Sequence, residues 1–392
     1  MIYAGAGQSS HGGTQKAVEE AAGAAMAQAG VAKADAAVVF FTVEHAANAG
    51  PLLDGLRRVT GTDRIVGSSA AGILTQQGEI EGSQGLAVLV FSSDQIVSDP
   101  FLFKPLRERD QEIGGEIAGA ARGGESSLLV LLPDTYNGQP QSLLQSIHTR
   151  AGFIPAVGAG SSENGMAQAT YQLCADDVAT NSVAGMHLSG SFDATIDITQ
   201  GCQPITEPMV ITKAEKNLIV EIDHRPALEV FARLLKGRLA DDLRRALMVL
   251  FVGLPADADE NSVAPGKYAV RNIIGLDPQK GVLGVAEEVT EGEAMIFTLR
   301  DGERAREDLN QMLRRQVESL GGKKPAFGFY FNCCARGAGL YGIPGIDSAY
   351  ISQALGEFPL IGMFGGYELA PLGKANHLFA YTGVLALITE KA

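Results

Sequence analysis

The sequence has no tryptophan and four cysteines in 392 residues, and each scarcity excludes something. Without tryptophan, broad aromatic platforms for stacking bases would rest on Phe and Tyr alone. The cysteines, Cys174, Cys202, Cys333 and Cys334, show no C-x-x-C spacing. They are too few for a disulfide scaffold, so reduced thiols in a cytoplasmic setting are expected. Positive charge is short as well: 31 Lys and Arg face 45 Asp and Glu, a net charge of −14, with no dense basic run. That balance argues against nucleic acid or an anionic membrane as a partner. Long apolar runs are missing, since stretches such as Leu247–Val252 fall far short of the roughly 20 residues a spanning helix needs. Met1–Gly13 lacks the basic start and apolar stretch of a secretory signal. No Walker sequence occurs, Gly5-Ala-Gly7 does not continue as G-x-G-x-x-G, and the G-x-S-x-G elbow fails because residue 71 is alanine. The six histidines include no i, i+4 metal pair and no H-E-x-x-H.

What is abundant is glycine, 48 residues scattered through turns, in a chain that is 46% hydrophobic. The length exceeds one ordinary core, so two domains are expected. A strand–helix–strand pattern recurs. The first copy runs Ala37–Thr42, a helix around Leu52–Val59, then Arg64–Ser69, closed by Gly85–Phe91. The second runs Leu128–Leu132, a helix around Ser142–Ile147, then Ile154–Gly160, closed by Val183–Leu188. The third runs Phe327–Phe331, Asp347–Leu355 and Pro359–Phe364, closed by Tyr381–Ile388. A weaker fourth copy is read in Leu247–Val252, Tyr268–Ile274 and Met295–Leu299. Short continuous apolar runs mark strands covered on both faces, and a glycine ending the second strand allows a sharp turn or a close backbone approach. The fold class is therefore α/β: two domains of repeated strand–helix–strand units, mixed sheets with helices packed outside. Thr14–Ala29, with Thr14 as N-cap, Asp110–Ala121, Ala227–Lys236 and Glu303–Leu320 read as further helices. The boundary is placed near Pro208–Asn217, giving domains 1–217 and 218–392.

The chemistry-bearing residues cluster after the third copy's strands, where ligands of open α/β sheets collect. Arg336 follows one strand, and Tyr367 and Glu368 follow the next. A guanidinium clamps a carboxylate and a carboxylate holds an ammonium, which suits an amino-acid-like guest; the other reading is that Arg336 and Glu368 bond each other. Asn332 and Cys333 end the first strand. Adjacent strand residues point to opposite faces, so one of Cys333 and Cys334 should be buried and the other nearer a pocket. The thiols are either reactive beside Arg336 or small packing groups. His377, beside Asn376, is a ligand contact, a haem ligand or a structural histidine. Ser68 and Ser69, like Ser161 and Ser162 in the second copy, either bind an anion through hydroxyls and backbone N–H groups or form tight turns.

Several stretches resemble the FIST family. They are Ile198-Thr-Gln-Gly-Cys-Gln-Pro-Ile-Thr206, Val210–Asp223 with Pro226-Ala-Leu, Val66-Gly-Ser-Ser-Ala-Ala-Gly72, and the late set Cys334-Ala-Arg336, Pro359-Leu-Ile-Gly362, Gly366-Tyr-Glu368, Asn376-His377 and Thr382. The likeness runs from about residue 30 to the end, with a FIST N-type and a FIST C-type domain. It implies a sensory protein in intracellular signal transduction that binds an amino acid or related metabolite, and with no recognisable catalytic set in the sequence a non-enzymatic role is expected. With no kinase, methyl-acceptor or F-box segment in the sequence, the signal would pass to a separate protein partner. No cofactor is expected on this reading. Some family members look like nitric-oxide-sensing haem proteins, so a haem-based sensor with His377, Cys333 or Cys334 as axial ligand is one alternative. A thiol-dependent enzyme is another.

Overall fold

Three equivalent glycines organise the larger part of the structure. The computed structural model describes residues 1–121, 126–257 and 260–391. The chain forms two compact units, one of Met1–Ile198, Leu309–Leu378 and Thr382–Ala392, the other of Thr199–Asp308 and Phe379–Tyr381.

In the first unit one plan occurs three times. The first repeat is β1 (Ile2–Ser9), α1 (Thr14–Ala29), β2 (Ala36–Thr42), α2 (Ala49–Thr60), β3 (Ile65–Ala70), the hairpin β4 (Gly72–Thr75) and β5 (Gly78–Glu81), and β6 (Leu86–Ser93). The second is β7 (Ile96–Phe103), α3 (Asp110–Ala120), β8 (Ser126–Pro133), α4 (Pro140–Ala151), β9 (Ala156–Ala159), the hairpin β10 (Gln172–Cys174) and β11 (Asp177–Ala179), and β12 (Val183–Gly190). The third opens with β13 (Phe192–Gln200) and is then interrupted. The interruption carries β14 (Cys202–Pro204), β15 (Met209–Glu215), β16 (Leu218–Ile222), β17 (Arg225–Pro226), α5 (Ala227–Ala232), α6 (Arg238–Asp241), α7 (Leu243–Val249), β18 (Leu250–Pro255), β19 (Tyr268–Asp277), β20 (Val282–Val285) and β21 (Ala294–Arg300). The third repeat resumes with α8 (Gly302–Leu320), β22 (Phe327–Cys333), α9 (Gly337–Tyr341), α10 (Ile346–Leu355), β23 (Leu360–Gly365), the hairpin β24 (Glu368–Leu372) and β25 (Ala375–Phe379), and β26 (Thr382–Glu390).

Within each repeat the two strands flanking the central helix run parallel, β2 with β3, β8 with β9 and β22 with β23. The closing strand lies antiparallel on the other side, as β6, β12 and β26. The hairpins are exchanged in a cycle. β4 of the first repeat pairs with β23, β10 of the second with β3, and β24 of the third with β9. Each sheet is thus completed by a neighbour's strands. Gly67, Gly158 and Gly362 occupy one position in this plan, opposite Val39, Leu131 and Tyr330. A Cβ at the three would lie 2.0, 1.9 and 2.3 Å from the facing carbonyl oxygen, so close backbone approach requires glycine at each.

All seven residues of β2 and of β22 are buried, as their unbroken apolar runs require. Small residues of α1 and leucines of α2 cover the first sheet, while Ile113, Ile117, Leu143 and Ile147 of α3 and α4 cover the second. Leu309, Met312, Leu313 and Leu320 of α8 cover the third. Aromatic pairs join first and third repeats, Phe40 to Phe331 at 6.1 Å and Phe91 stacked on Phe327 at 5.1 Å. Each fully buried side chain of this size stabilises by about 1.5–3 kcal/mol.

In the second unit every strand pairing is antiparallel, and β21-β15-β16-β20-β19-β18 closes on itself through β18–β21 as a six-stranded barrel. The expected fourth repeat is therefore not one. Leu250–Pro255 has the apolar run of a parallel strand but lies antiparallel between β19 and β21. Ala227–Lys236 forms a helix only to Ala232. The position 217/218 falls inside this unit, because the chain leaves the first at Ile198 and returns at Leu309. Thr14 is not a cap: Gly13 holds that place, and Thr14 Oγ1 lies 3.0 Å from His45 Nδ1.

Candidate functional site

The turns that follow β3, β9 and β23 meet. Ser69 Oγ donates to the Ser162 carbonyl (2.9 Å), Ser162 N to the Ser69 carbonyl (3.2 Å), and Ala71 N to Ser162 Oγ (2.8 Å). Ser162 Oγ donates to the Phe364 carbonyl, and Gly366 N to that of Gly160 at 2.9 Å. All three repeats are joined by backbone and hydroxyl groups here. The serines are consumed in doing so: Tyr171 N donates to Ser69 Oγ (3.0 Å), and Ser68 Oγ faces Met363 Sδ at 3.6 Å.

Beside this junction β22 ends and the chain turns into α9. Arg336 N donates to the Cys333 carbonyl at 2.9 Å and Cys334 N to that of Gly365 at 2.9 Å, which fixes the turn. The Arg336 side chain runs inward and is 1% exposed. Its partner is Asp347, at the start of α10: Nη2 donates to Oδ1 at 2.9 Å and to Tyr341 Oη at 2.6 Å. Tyr341 Oη donates to Asp347 Oδ1 (2.9 Å), and Asn332 Nδ2 donates to Oδ2 (2.7 Å). A buried ion pair holds together only with such extra hydrogen bonds, because desolvation offsets much of its attraction. Two carboxylates of the first repeat complete the surroundings. Glu79 accepts from Gly345 N (2.9 Å) and Ser348 N (3.0 Å), and Glu81 from Ala338 N (3.1 Å), each filling orphan donors at a helix start. Burial, with Asp347 nearby, pushes the Glu79 carboxyl up to about 7. Gly337 has a φ of 55°, and a Cβ there would lie 2.3 Å from Glu81 Oε2.

Glu368 opens β24 and is 0% exposed. Oε2 accepts from Thr382 N (3.1 Å) and Thr382 Oγ1 (2.6 Å), while Oε1 has no hydrogen-bond partner. Burial holds its carboxyl well above the usual range, reinforced by Cys333 and opposed in part by Thr382 and Arg336. Burial thus favours the protonated form of Glu368. The second repeat offers a counterpart: Gln172, also 0% exposed, accepts from Ser182 Oγ at 2.7 Å.

The sequence-derived site residues divide accordingly. Arg336 and Asn332 come together on Asp347. Glu368 and Cys333 lie where their charges act on one another. The expectation that Arg336 and Glu368 bond each other gives way to Asp347 and Thr382 as their respective partners, because each partner reaches its group with a second hydrogen bond in place. Tyr367 is buried, its ring against Gly160, with no partner for its hydroxyl. Cys333 is buried and Cys334 exposed, as strand alternation requires. His377 stands half-buried on the edge strand β25, next to Asn376, which binds Ala156 N and the Ile154 carbonyl, each at 2.8 Å. His187 of β12 is buried with Nε2 2.7 Å from Ser127 Oγ. Surface grooves of about 420, 490 and 540 Å³ lie between α8 and α10, between α3 and α4, and beside the β4–β5 turn; none of them is lined by the residues just named.

Sequence reading missed Asp347 as a site residue, although an acid opening the helix directly after Arg336 is a usable signal. It also missed Tyr330, whose buried hydroxyl has no partner and whose phenol is influenced by Asp347 and Arg336. Glu79 and Glu81 carried no signal, since only the exchanged hairpin brings them here.

Two family models match, the FIST N domain over residues 35–225 and the FIST C domain over 227–371. An uncharacterized protein of Mycobacterium tuberculosis is 28% identical over 388 residues, covering 98% of this chain and 99% of its own. One of Mycobacterium bovis is 29% identical over 381 residues, covering 96% of each. Among solved structures, a cyanuric acid hydrolase from A. caulinodans overlaps with a TM-score of 0.39 at 10% identity over the full length of both chains, a likeness that carries no inference. Among the described residues no helix is long and apolar enough to cross a membrane. The chain belongs to the FIST family, with FIST N and FIST C domains, a family associated with signal transduction and small-ligand sensing.

Proposed function

We propose that this protein is a sensor for a small polar metabolite carrying both an anionic and a cationic group, an amino acid or close relative, held at the junction of β22, β23 and β24. One observation carries the reading. Arg336 Nε and Nη1, Asn332 Oδ1, Tyr330 Oη and Glu368 Oε1 are all buried without hydrogen-bond partners. Buried polar atoms are nearly always satisfied, and leaving each unpaired costs about 1–3 kcal/mol. Donors on the arginine side and a carboxyl oxygen on the glutamate side suit a guest of mixed charge. The guest's differential affinity for a closed over an open arrangement is then what a separate partner protein reads. No reaction is assigned to the site.

Haem finds little support in the donor set. His377 sits on an edge strand, Cys333 is packed within β22, and none of the described grooves is lined by either.

The test is a thermal-shift screen of amino acids and organic acids, followed by calorimetry on Tyr330→Phe and Glu368→Gln. Both substitutions preserve volume. A hit whose affinity falls about tenfold or more in both variants supports the proposal; hits indifferent to both place the guest elsewhere.

A further inference from the structure

The buried cluster offers a guest no open way in. Tyr330, Asn332 and Glu368 are 0% exposed and Arg336 1%, and none of the described grooves is lined by them. The strands around it are fixed: β22 is paired on both sides, to β23 and β26, and β24 is paired to β9. The stretch 337–345, α9 and its connection to α10, is built differently. Gly339, Gly342, Ile343 and Pro344 are exposed. Glycines with positive φ stand at both ends and near the middle, Gly337 at 55°, Gly342 at 79° and Gly345 at 81°. At Gly342 and Gly345 a Cβ would meet nothing within 4 Å, so backbone conformation and not crowding calls for glycine there. The anchors of the stretch are polar. Tyr341 Oη ties it inward to Arg336 Nη2 (2.6 Å) and Asp347 Oδ1 (2.9 Å), with the guanidinium carbon 5.7 Å from the ring centroid. The first repeat's β4–β5 hairpin ties its two ends: Glu81 accepts from Ala338 N (3.1 Å) and Glu79 from Gly345 N (2.9 Å). Gly345 and Ser348, both bonded to Glu79 through N–H, line the groove of about 540 Å³ beside the β4–β5 turn, so this tie stands at the edge of solvent.

We infer that residues 337–345 form a lid over the Arg336 side of the cluster, hinged at Gly337 and Gly345 and latched by Glu79 and Glu81. The inference rests on the reading of the cluster as a guest site, for which it supplies the route of entry. Hinges are a few element-terminal residues that absorb the backbone rotation while packed elements stay in place. Opening breaks the bonds from Ala338 N and Gly345 N and frees the Tyr341 hydroxyl from Arg336 and Asp347. The ladder of β22 with β23 and β26 is untouched, and Ser348 N keeps its bond to Glu79. Arg336 Nε and Nη1, which have no partner in the closed form, then meet an incoming anionic group. The latch belongs to the first repeat and the lid to the third. The same hairpin pairs with β23 through β4, so a shift of the first repeat against the third moves latch and lid together.

Amide hydrogen exchange of the free full-length protein, read by mass spectrometry, reports opening directly. After correction for intrinsic rates, peptides over 337–345 should exchange about a hundredfold faster or more than those over β22 and β23, because local opening takes less free energy than global unfolding. Glu79→Ala with Glu81→Ala should speed exchange over 337–345 by about tenfold or more and leave β22 and β23 as in the wild type. Tyr341→Phe, which keeps the ring and drops the hydroxyl, is a second way to loosen the lid, and the wild-type comparison needs no variant to fold. Phenylglyoxal with peptide mapping gives a chemical readout: Arg336 should react about tenfold faster in either variant, whereas Arg271 of the second unit, its side chain 12% exposed, should keep its rate. Exchange over 337–345 in step with β22 and β23 in the wild type, or no selective gain over 337–345 and at Arg336 in either variant, would overturn the lid. No guest enters these measurements, so the two failures separate. A stretch that stays shut overturns this inference alone, and a stretch that opens while the metabolite screen stays silent overturns the guest reading.

Discussion

Replacing Glu368 by glutamine should make the protein more stable at neutral pH while leaving it nearly unchanged in acid. The carboxyl is fully buried and its folded-state affinity for a proton is raised, chiefly by burial. The sign follows from linkage. A raised carboxyl pKa means the unfolded chain gives up this proton first. Stability is fully present below the unfolded-state value, about 4.3, and declines as pH rises from there toward the folded-state value. Within that window each pH unit costs the wild type about 1.4 kcal/mol. Glutamine has no proton to lose. Its carbonyl accepts from Thr382 as Oε2 does, and its amide occupies the place of Oε1. The second repeat already uses this solution in Gln172 and Ser182. Denaturant melts of both proteins at half-unit steps from pH 4 to 7 measure the difference, which also cancels the parallel contribution of Glu79. The two should agree within about 0.5 kcal/mol near pH 4, and the wild type should fall behind the variant as pH rises above it. Parallel profiles, or a glutamine variant less stable at pH 7, would mean that burial does not raise the proton affinity of Glu368 on folding, refuting the reasoning.

Arg336→Met strands Asp347 in the interior and should cost about 3–5 kcal/mol; adding Asp347→Leu should recover most of that, and urea melts showing simple additivity would contradict the pairing. Gly362→Ala places a methyl group where the Tyr330 carbonyl lies 2.3 Å away, so a loss of about 1–3 kcal/mol or more is expected from the midpoint shift, while Gly119→Ala, in open space on α3, should be within about 0.5 kcal/mol of neutral or stabilising.

The three repeats were legible because burial on both faces writes itself into the chain as unbroken apolar runs. Val38–Phe41, Leu128–Leu132 and Phe327–Phe331 admit little else, and the glycine after each central helix marks the close approach. The same signal misled at Leu250–Val252. An antiparallel barrel strand with a covered outer face looks identical over a few residues, and nothing local records the direction of its partner. The exchange of hairpins was illegible for a related reason: the pairing of Gly72–Thr75 with Ile361–Met363 is settled by packing nearly three hundred residues away. At the site, Arg336, Asn332 and Glu368 were recognisable from residue type at strand ends, whereas the Tyr367 hydroxyl is influenced by Asp134 and Asp110 of the second repeat. The partners of the first three were not. Arg336 had two acids within reach in sequence terms, Asp347 and Glu368, and only the turn into α10 decides between them.

The central claim is that the buried polar cluster receives a small guest of mixed charge. Titration calorimetry of the best amino acid from the screen tests it most directly, run on wild type and Glu368→Gln in two buffers of different ionisation enthalpy. The account expects one-to-one binding to wild type with net proton release, as Glu368 ionises against the guest's ammonium, and weakened binding without that release in the variant. Binding of equal strength and equal proton release in both proteins would contradict it.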